Sequence, residues 1–181
     1  MTLGMSVLAT PMTVQDFLKV SDPKEGHLEL HHGEVVHMPP PKFGHSRNQW
    51  KFQALLSKHA PDAIVQIEMP FRPTAEHEVW VADVGLVRAE RERATGDDEY
   101  LMGSPELVVE VLSPSNTVDE INDKMAICMD NGCLSFWVVD GKRKRISVTE
   151  GRITRHYTET DTISCSLLSG ELRVSDIFAA A

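Results

Sequence analysis

The sequence predicts a mixed α/β fold in which a central sheet is flanked by helices. Three observations predict it. Short apolar strands recur along the chain, helical segments with recognisable start and stop signals lie between them, and the order is helix, hairpin, helix, strands, helix, strands. The chain of 181 residues is long enough to bury its own core. We expect one domain over residues 12–181, preceded by a disordered leader over residues 1–11.

The first third of the chain is predicted to form a short helix, a hairpin and a longer helix. Thr13–Asp16 resembles a capping box and begins the short helix. Alternating apolar and polar residues predict a hairpin over residues 27–38, with His32-Gly33 as its turn. Apolar positions at helical spacing predict the longer helix over residues 44–59.

The remaining predicted strands are apolar runs bounded by turn residues or charged residues. They are expected near residues 63–69, 79–87, 107–112, 134–139, 145–149 and 153–158, with one more strand before the C-terminus. The charged segment 88–100 is typical of a loop with at most a short helix. The capping box Thr117–Glu120 begins a further helix, which should end before Gly132.

Composition limits the classes of partner and location. The formal net charge of −9 is unfavourable for a nucleic-acid partner unless a bound metal restores positive charge locally. Three cysteines without a CxxC pair argue against a disulfide framework or a structural zinc site, and favour a reducing compartment. The sequence has no apolar run of membrane-spanning length and no basic N-terminal region typical of a signal peptide. We therefore expect a cytoplasmic protein.

Two acidic residues lie inside apolar strands. Asp83 is flanked by Ala82 and Val84, and Glu110 is preceded by an apolar run and followed by Val111. A buried carboxylate is costly unless it has a cation, a metal or several hydrogen-bond donors as partner. One such acid is better explained by exposure at a strand end or by a structural ion pair, but two on strands that could be adjacent make a functional site equally plausible.

Lys124 adds a cation to this pair. It borders the apolar stripe of the predicted helix, so its side chain either extends outward to solvent or reaches the acids on the preceding strand. Two carboxylates can bind Mg²⁺ through hard oxygen ligands. The ion can activate water and neutralise a phosphate, while a lysine orients the water or stabilises the developing charge. The three residues together therefore indicate metal-dependent hydrolysis of a phosphodiester.

The chain resembles the Uma2 family, also called DUF820, of bacterial endonucleases in the PD-(D/E)XK superfamily. The resemblance extends from about Met12 to Phe178. It is carried by Leu28–Val36, His45, Val81–Val84, Pro105–Ser115, Asp119, Lys124, Gly132 and Phe136–Asp140.

The resemblance implies a restriction-endonuclease-like core and assigns roles to individual residues. Asp83 and Glu110 would be the metal-binding acids, and Glu29 a further acid near the site. Leu112 occupies the usual lysine position of the motif, so Lys124 on the following helix would supply the amine. His45 would match the histidine at the start of the long helix, in contact with substrate or with the metal ligands.

These observations predict a Mg²⁺-dependent endonuclease acting on DNA, with Mn²⁺ as a substitute ion and Asp83, Glu110, Lys124 and Glu29 at its site. A homodimer is compatible with cutting both strands of a duplex. One alternative is a catalytically silent module that binds nucleic acid or protein on the same fold, and another is a structural or interaction protein of toxin–antitoxin or mobile-element type. The basic run Lys142–Arg145 is explained by a solvated turn or, less simply, by contact with a phosphate backbone.

Overall fold

The structure is a computed structural model that describes residues 10–114 and 116–179. The predicted leader therefore lies outside the described residues, except for its last two positions. The strands are β1 (His27–His31), β2 (Glu34–Met38), β3 (Ala63–Arg72), β4 (Trp80–Arg88), β5 (Leu101–Met102), β6 (Leu107–Val111), β7 (Ser135–Asp140), β8 (Arg145–Glu150), β9 (Ile153–Thr158), β10 (Thr162–Ser164) and β11 (Glu171–Arg173). The helices are α1 (Val14–Phe17), α2 (Phe43–His59), α3 (Ala89–Ala94), α4 (Val118–Asp130) and α5 (Val174–Phe178).

A seven-stranded mixed sheet forms the centre, with strand order β5-β3-β4-β6-β7-β8-β9. Neighbouring strands are antiparallel except for the β3–β5 and β6–β7 pairs. The parallel β6–β7 pair needs a crossover, which α4 provides. The predicted mixed α/β fold, a sheet flanked by helices, is confirmed.

Helices α2 and α4 pack on opposite faces of this sheet. Val109 of β6 belongs to the core cluster that contains Phe52 and Leu56 of α2. Its neighbour Val108 belongs to the cluster that contains Cys128 of α4. Successive strand residues point to opposite faces, so β6 is covered on both sides, in agreement with its continuous apolar sequence.

The β1–β2 hairpin is joined to the start of β4 by two backbone hydrogen bonds between Leu30 and Val79, of 2.8 and 2.9 Å. Its turn has positive φ at His32 (52°) and Gly33 (77°), as a two-residue hairpin turn requires. This connection brings β1, and therefore Glu29, beside the central sheet.

Several short elements differ from the sequence-based prediction. The single strand expected before the C-terminus is a small antiparallel pair, β10–β11, followed by α5. Strand β5 has only two residues and was not predicted. Segments this short contain too few residues to show a periodicity. Within the described residues, no helix is long and apolar enough to cross a membrane.

Candidate catalytic and metal centre

Three carboxylates occupy matching positions on three adjacent strands. Asp83 of β4 lies next to Val84, which pairs with Val109 of β6, so the register places Asp83 across from Glu110. On the other side, Ile67 pairs with Val84 and Met69 with Ala82, so Glu68 of β3 also lies across from Asp83. We call Glu68, Asp83 and Glu110 the carboxylate row. Like charges at directly opposed positions are destabilising unless other groups compensate for them.

Helix α2 supplies the groups that compensate the middle of the row. His45 Nε2 lies 2.8 Å from Asp83 Oδ1, and Gln49 Nε2 donates to the same oxygen at 3.1 Å. Gln49 also donates to Glu68, so one amide links two carboxylates. The backbone N–H of Val111 donates to Asp83 Oδ2 at 2.6 Å. The bond to Asp83 raises the pKa of His45, although partial burial opposes this shift.

Helix α4 compensates the other end of the row. Lys124 Nζ lies 2.9 Å from Glu110 Oε1 in an ion pair whose side chains are 11% and 10% exposed. The same amine donates to the carbonyl oxygen of Val81 at 2.7 Å. Burial raises the pKa of Glu110, and the neighbouring Asp83 adds to this effect, while Lys124 opposes it. Lys124 therefore reaches the acids instead of extending to solvent.

Glu29 is 2% exposed and is held by three donors. His27 Nε2 lies 3.1 Å from Oε1, His31 Nε2 lies 2.9 Å from Oε2, and the N–H of Val81 donates to Oε2 at 3.1 Å. Burial alone would raise the pKa of Glu29, but the two histidines and the charge of Lys124 lower it to about 2. Glu29 is therefore ionised at neutral pH.

Lys124 retains its proton in this environment. Burial would lower its pKa, but the charges of Glu110 and Glu29 outweigh burial and raise it. The ammonium also lies 5.8 Å from the ring centroid of Trp80, within cation–π distance. A permanently charged amine can donate hydrogen bonds and stabilise negative charge, but it cannot act as a general base.

The carboxylate row, Glu29, His45 and Lys124 line one cleft of about 1060 Å³. Asp83, Glu110, Lys124, Glu29 and His45, which the sequence predicted as site residues, all take part. The structure thus brings the predicted residues together, while their catalytic roles stay predictions. Leu112, at the usual lysine position of the motif, also lines the cleft, and the amine comes instead from Lys124 on α4.

Sequence reasoning did not identify Glu68, Gln49 or His27. Glu68 alternates with Ile67 and Met69, a pattern that indicates the polar face of an ordinary strand. Its backbone φ of 49° is unusual for a residue other than glycine, but no sequence pattern signals it. Only the strand register shows that Glu68 lies beside Asp83.

His45, Glu68 and Asp83 form a group that could hold a metal ion. One nitrogen or oxygen atom from each of these half-buried residues lies within 4.8 Å of the others. Asp83 thus belongs both to this group and to the predicted Asp83–Glu110 pair, whereas Glu110 is not a member of the group.

Comparisons with known proteins agree with the fold. The family model described as "Uma2: Putative restriction endonuclease" matches residues 14–179. Among solved structures, the chain is similar to a protein from Anabaena variabilis ATCC 29413 that is described as a putative nuclease belonging to DUF820. The TM-score is 0.79 and the identity 18%, over 93% of this chain and 98% of that chain, so the likeness shows the fold. Among curated proteins, none matches the chain significantly.

Proposed function

Because the chain belongs to the Uma2 family, we propose that it is a metal-dependent endonuclease that hydrolyses phosphodiester bonds in DNA. The family and the fold support a nuclease of the restriction-endonuclease type. The DNA substrate, the metal and the roles of single residues are our proposal. They are supported by the charges and contacts in the cleft.

The distribution of charge in the cleft carries this proposal. Its four acidic lining residues are Glu29 and the three members of the carboxylate row. Besides Lys124 and the histidines, the cleft is lined by five further charged residues, and all five are basic. These residues, which we call the basic rim, are Lys42, Arg47, Lys51, Lys142 and Lys144. A nucleic-acid backbone in the cleft would contact cations along its length, with carboxylates at one point only.

Part of the basic rim is available to bind phosphate. Within the described part of the chain, the side chains of Lys42, Arg47 and Lys142 have no hydrogen bond or ion pair. Lys144 pairs with Glu159 at 2.8 Å on the exposed surface, a contact that contributes little and that phosphate could replace. Two residues of the basic run Lys142–Arg145 therefore line the cleft, which favours the phosphate-contact interpretation of that run.

The residues present fit a divalent cation. Carboxylate oxygens are ligands that suit both Mg²⁺ and Mn²⁺. Glu110 Oε1 is buried and accepts no well-directed hydrogen bond from the described residues, although it is in ion-pair contact with Lys124. We propose that Asp83 and Glu110 bind Mg²⁺, for which Mn²⁺ can substitute. Such an ion activates water and neutralises charge on the scissile phosphate.

Lys124 and Glu29 act as a unit in this proposal. Lys124 contacts Glu110 and remains an ammonium, so it can donate to a phosphate oxygen or to the attacking water. Glu29 helps to keep Lys124 charged. Both residues form hydrogen bonds with the backbone of Val81. Lys124 Nζ donates to the Val81 carbonyl, and the Val81 N–H donates to Glu29. Glu29 is therefore a positioning residue.

A plasmid-nicking assay with Mg²⁺ or Mn²⁺ tests the proposal. Asp83→Asn and Lys124→Ala should each reduce nicking by roughly 10²–10³-fold, the scale expected when one charge-stabilising group is lost from an active site. Glu92→Gln, an exposed change on α3 outside the cleft, should leave the rate unchanged. Equal nicking by all variants would indicate a contaminating nuclease, and a labelled RNA would show whether DNA is preferred.

DNA binding separates the nuclease from the silent-module alternative. The double variant Lys42→Ala/Arg47→Ala should reduce the slope of log K against log salt by about 2, one unit for each lost phosphate contact. Lys58→Ala, a change on α2 outside the cleft, is the control. Binding with this salt slope but without nicking would favour the silent module. The predicted homodimer stays a prediction that sedimentation equilibrium can check.

A further inference from the structure

We infer that the cleft holds a metal ion on the α2 side of Asp83, through His45, Glu68 and Asp83, and that this site prefers first-row transition ions such as Mn²⁺ to Mg²⁺. The inference rests on the proposed function for the need of a metal. It assigns two ligands, His45 and Glu68, that the predicted Asp83–Glu110 pair does not include.

The distances between the donor atoms support a common ion. One donor atom from each of the three residues lies within 4.8 Å of the other two. Ligands roughly 2.0–2.2 Å from one ion lie at most about 4.4 Å apart. The three side chains therefore need only small movements to contact the same ion. All three residues also line the cleft, which gives an ion access from solvent.

The distribution of charge favours an ion on the α2 side of Asp83, next to Glu68. Glu110 already has the Lys124 ammonium at 2.9 Å. Among the described residues, Asp83 has only His45 as an ion-pair partner, and Glu68 has none. The Glu68 and Asp83 carboxylates share the uncharged amide of Gln49, which donates to both. The negative charge that lacks a permanent cation is thus concentrated between Glu68 and Asp83.

The donor atoms determine which ion this side of the row selects. Mg²⁺ is a hard cation that is bound almost entirely by oxygen atoms and retains several waters. An imidazole nitrogen with two carboxylates suits first-row transition ions, whose affinity for nitrogen ligands is higher. His45 Nε2 is the atom that faces Asp83, at 2.8 Å from Oδ1. His45 should therefore set the preference for Mn²⁺ over Mg²⁺.

Electron paramagnetic resonance of the intact protein with Mn²⁺ tests this assignment. The wild type should bind Mn²⁺, and pulsed measurements should show the ¹⁴N coupling of a coordinated imidazole. His45→Ala should lose this coupling and weaken Mn²⁺ binding by roughly 10–100-fold. The affinity for Mg²⁺, measured by competition with Mn²⁺, should change much less. His45→Ala should therefore bind the two ions with similar affinity. His59→Ala is the matched control, because His59 ends the same helix and bonds to the carbonyl of Ser169.

The outcomes separate this inference from the proposed function. Wild-type protein that binds Mn²⁺ without ¹⁴N coupling overturns the inference, even if Mg²⁺ supports nicking. Coupling that persists in folded His45→Ala also overturns it, because another histidine of the cleft, such as His27, would then be the ligand. Coupling that is present in the wild type and lost in His45→Ala supports the inference, even if no nicking is observed. If His45→Ala does not fold, His27→Ala decides, because loss of the coupling there would overturn the inference and its persistence there would support it.

Discussion

Replacing Lys124 by methionine should destabilise the protein strongly at pH 8 and much less at pH 5. The change keeps most of the length of the side chain but removes the ammonium from an ion pair whose members are 11% and 10% exposed. Removing one partner of a buried pair costs about 3–5 kcal/mol, because the other charge is left without compensation. This cost includes about 1 kcal/mol for the lost hydrogen bond to the Val81 carbonyl, a part that does not depend on pH.

The pH dependence follows from the carboxyl that remains. Burial already raises the pKa of Glu110, and loss of the Lys124 charge should raise it further. The folded variant therefore binds a proton at Glu110, which costs little free energy at pH 5 and more as the pH rises above the ordinary range of a carboxyl, whereas the Lys124 charge reduces that cost in the wild type. The loss of stability at pH 5 should fall to roughly 1–2 kcal/mol, which reflects mainly the lost hydrogen bond.

Urea unfolding followed by tryptophan fluorescence measures this loss at each pH. The wild type and Lys142→Met, an exposed change in the turn after β7, serve as references at both pH values. Glu110→Gln in the Lys124→Met background should recover most of the stability lost at pH 8. An equal loss at pH 5 and pH 8, or no recovery in the double variant, would refute the assignment of Glu110 as the charged partner.

Three further outcomes are expected. Ionised Glu29 contributes about 3 kcal/mol of stability, because its pKa is about 2 in the folded protein and 4.5 in the reference state. This contribution is present above about pH 4.5 and is lost as the pH falls towards 2, so Glu29→Gln should flatten acid unfolding in that window. Gly33→Ala should lower the thermal midpoint by several degrees, because φ is 77° there and a Cβ would lie 2.4 Å from the Cβ of Pro11. Excess Mn²⁺ should raise the thermal midpoint of the wild type but not that of Asp83→Asn, as differential scanning fluorimetry would show.

The parts of the fold that were predictable depend on local contacts. The capping box that begins α4 is formed as expected, since the Thr117 hydroxyl accepts from the Glu120 N–H and the Glu120 carboxylate accepts from the Thr117 N–H. The His32-Gly33 turn is equally local, because its two residues need positive φ. In both cases the contacts or backbone angles that define the structure involve residues within four positions of one another, so the sequence pattern predicts them.

The parts of the site that were not predictable depend on register and packing. The sequence placed Lys124 beside an apolar stripe, but only the packing of α4 on the sheet decides that its amine contacts Glu110. Glu68 occupies a polar position like any other on an alternating strand. It becomes part of a candidate site because β3 and β4 pair in the register that sets it across from Asp83.

The acidic composition of the chain is compatible with a phosphate-containing substrate because its charges are segregated. Helix α2 has 17 residues and no acidic one, yet it contains Arg47, Lys51 and Lys58 in a protein with a formal net charge of −9. Its N-terminal end lies at the cleft, where the helix dipole adds positive potential. Salt screens charges beyond roughly 10 Å, so the electrostatic potential at a phosphate near the site would be set mainly by α2 and the β7–β8 turn and not by the net charge of the protein. The salt dependence of DNA binding should therefore report the basic rim and not the net charge.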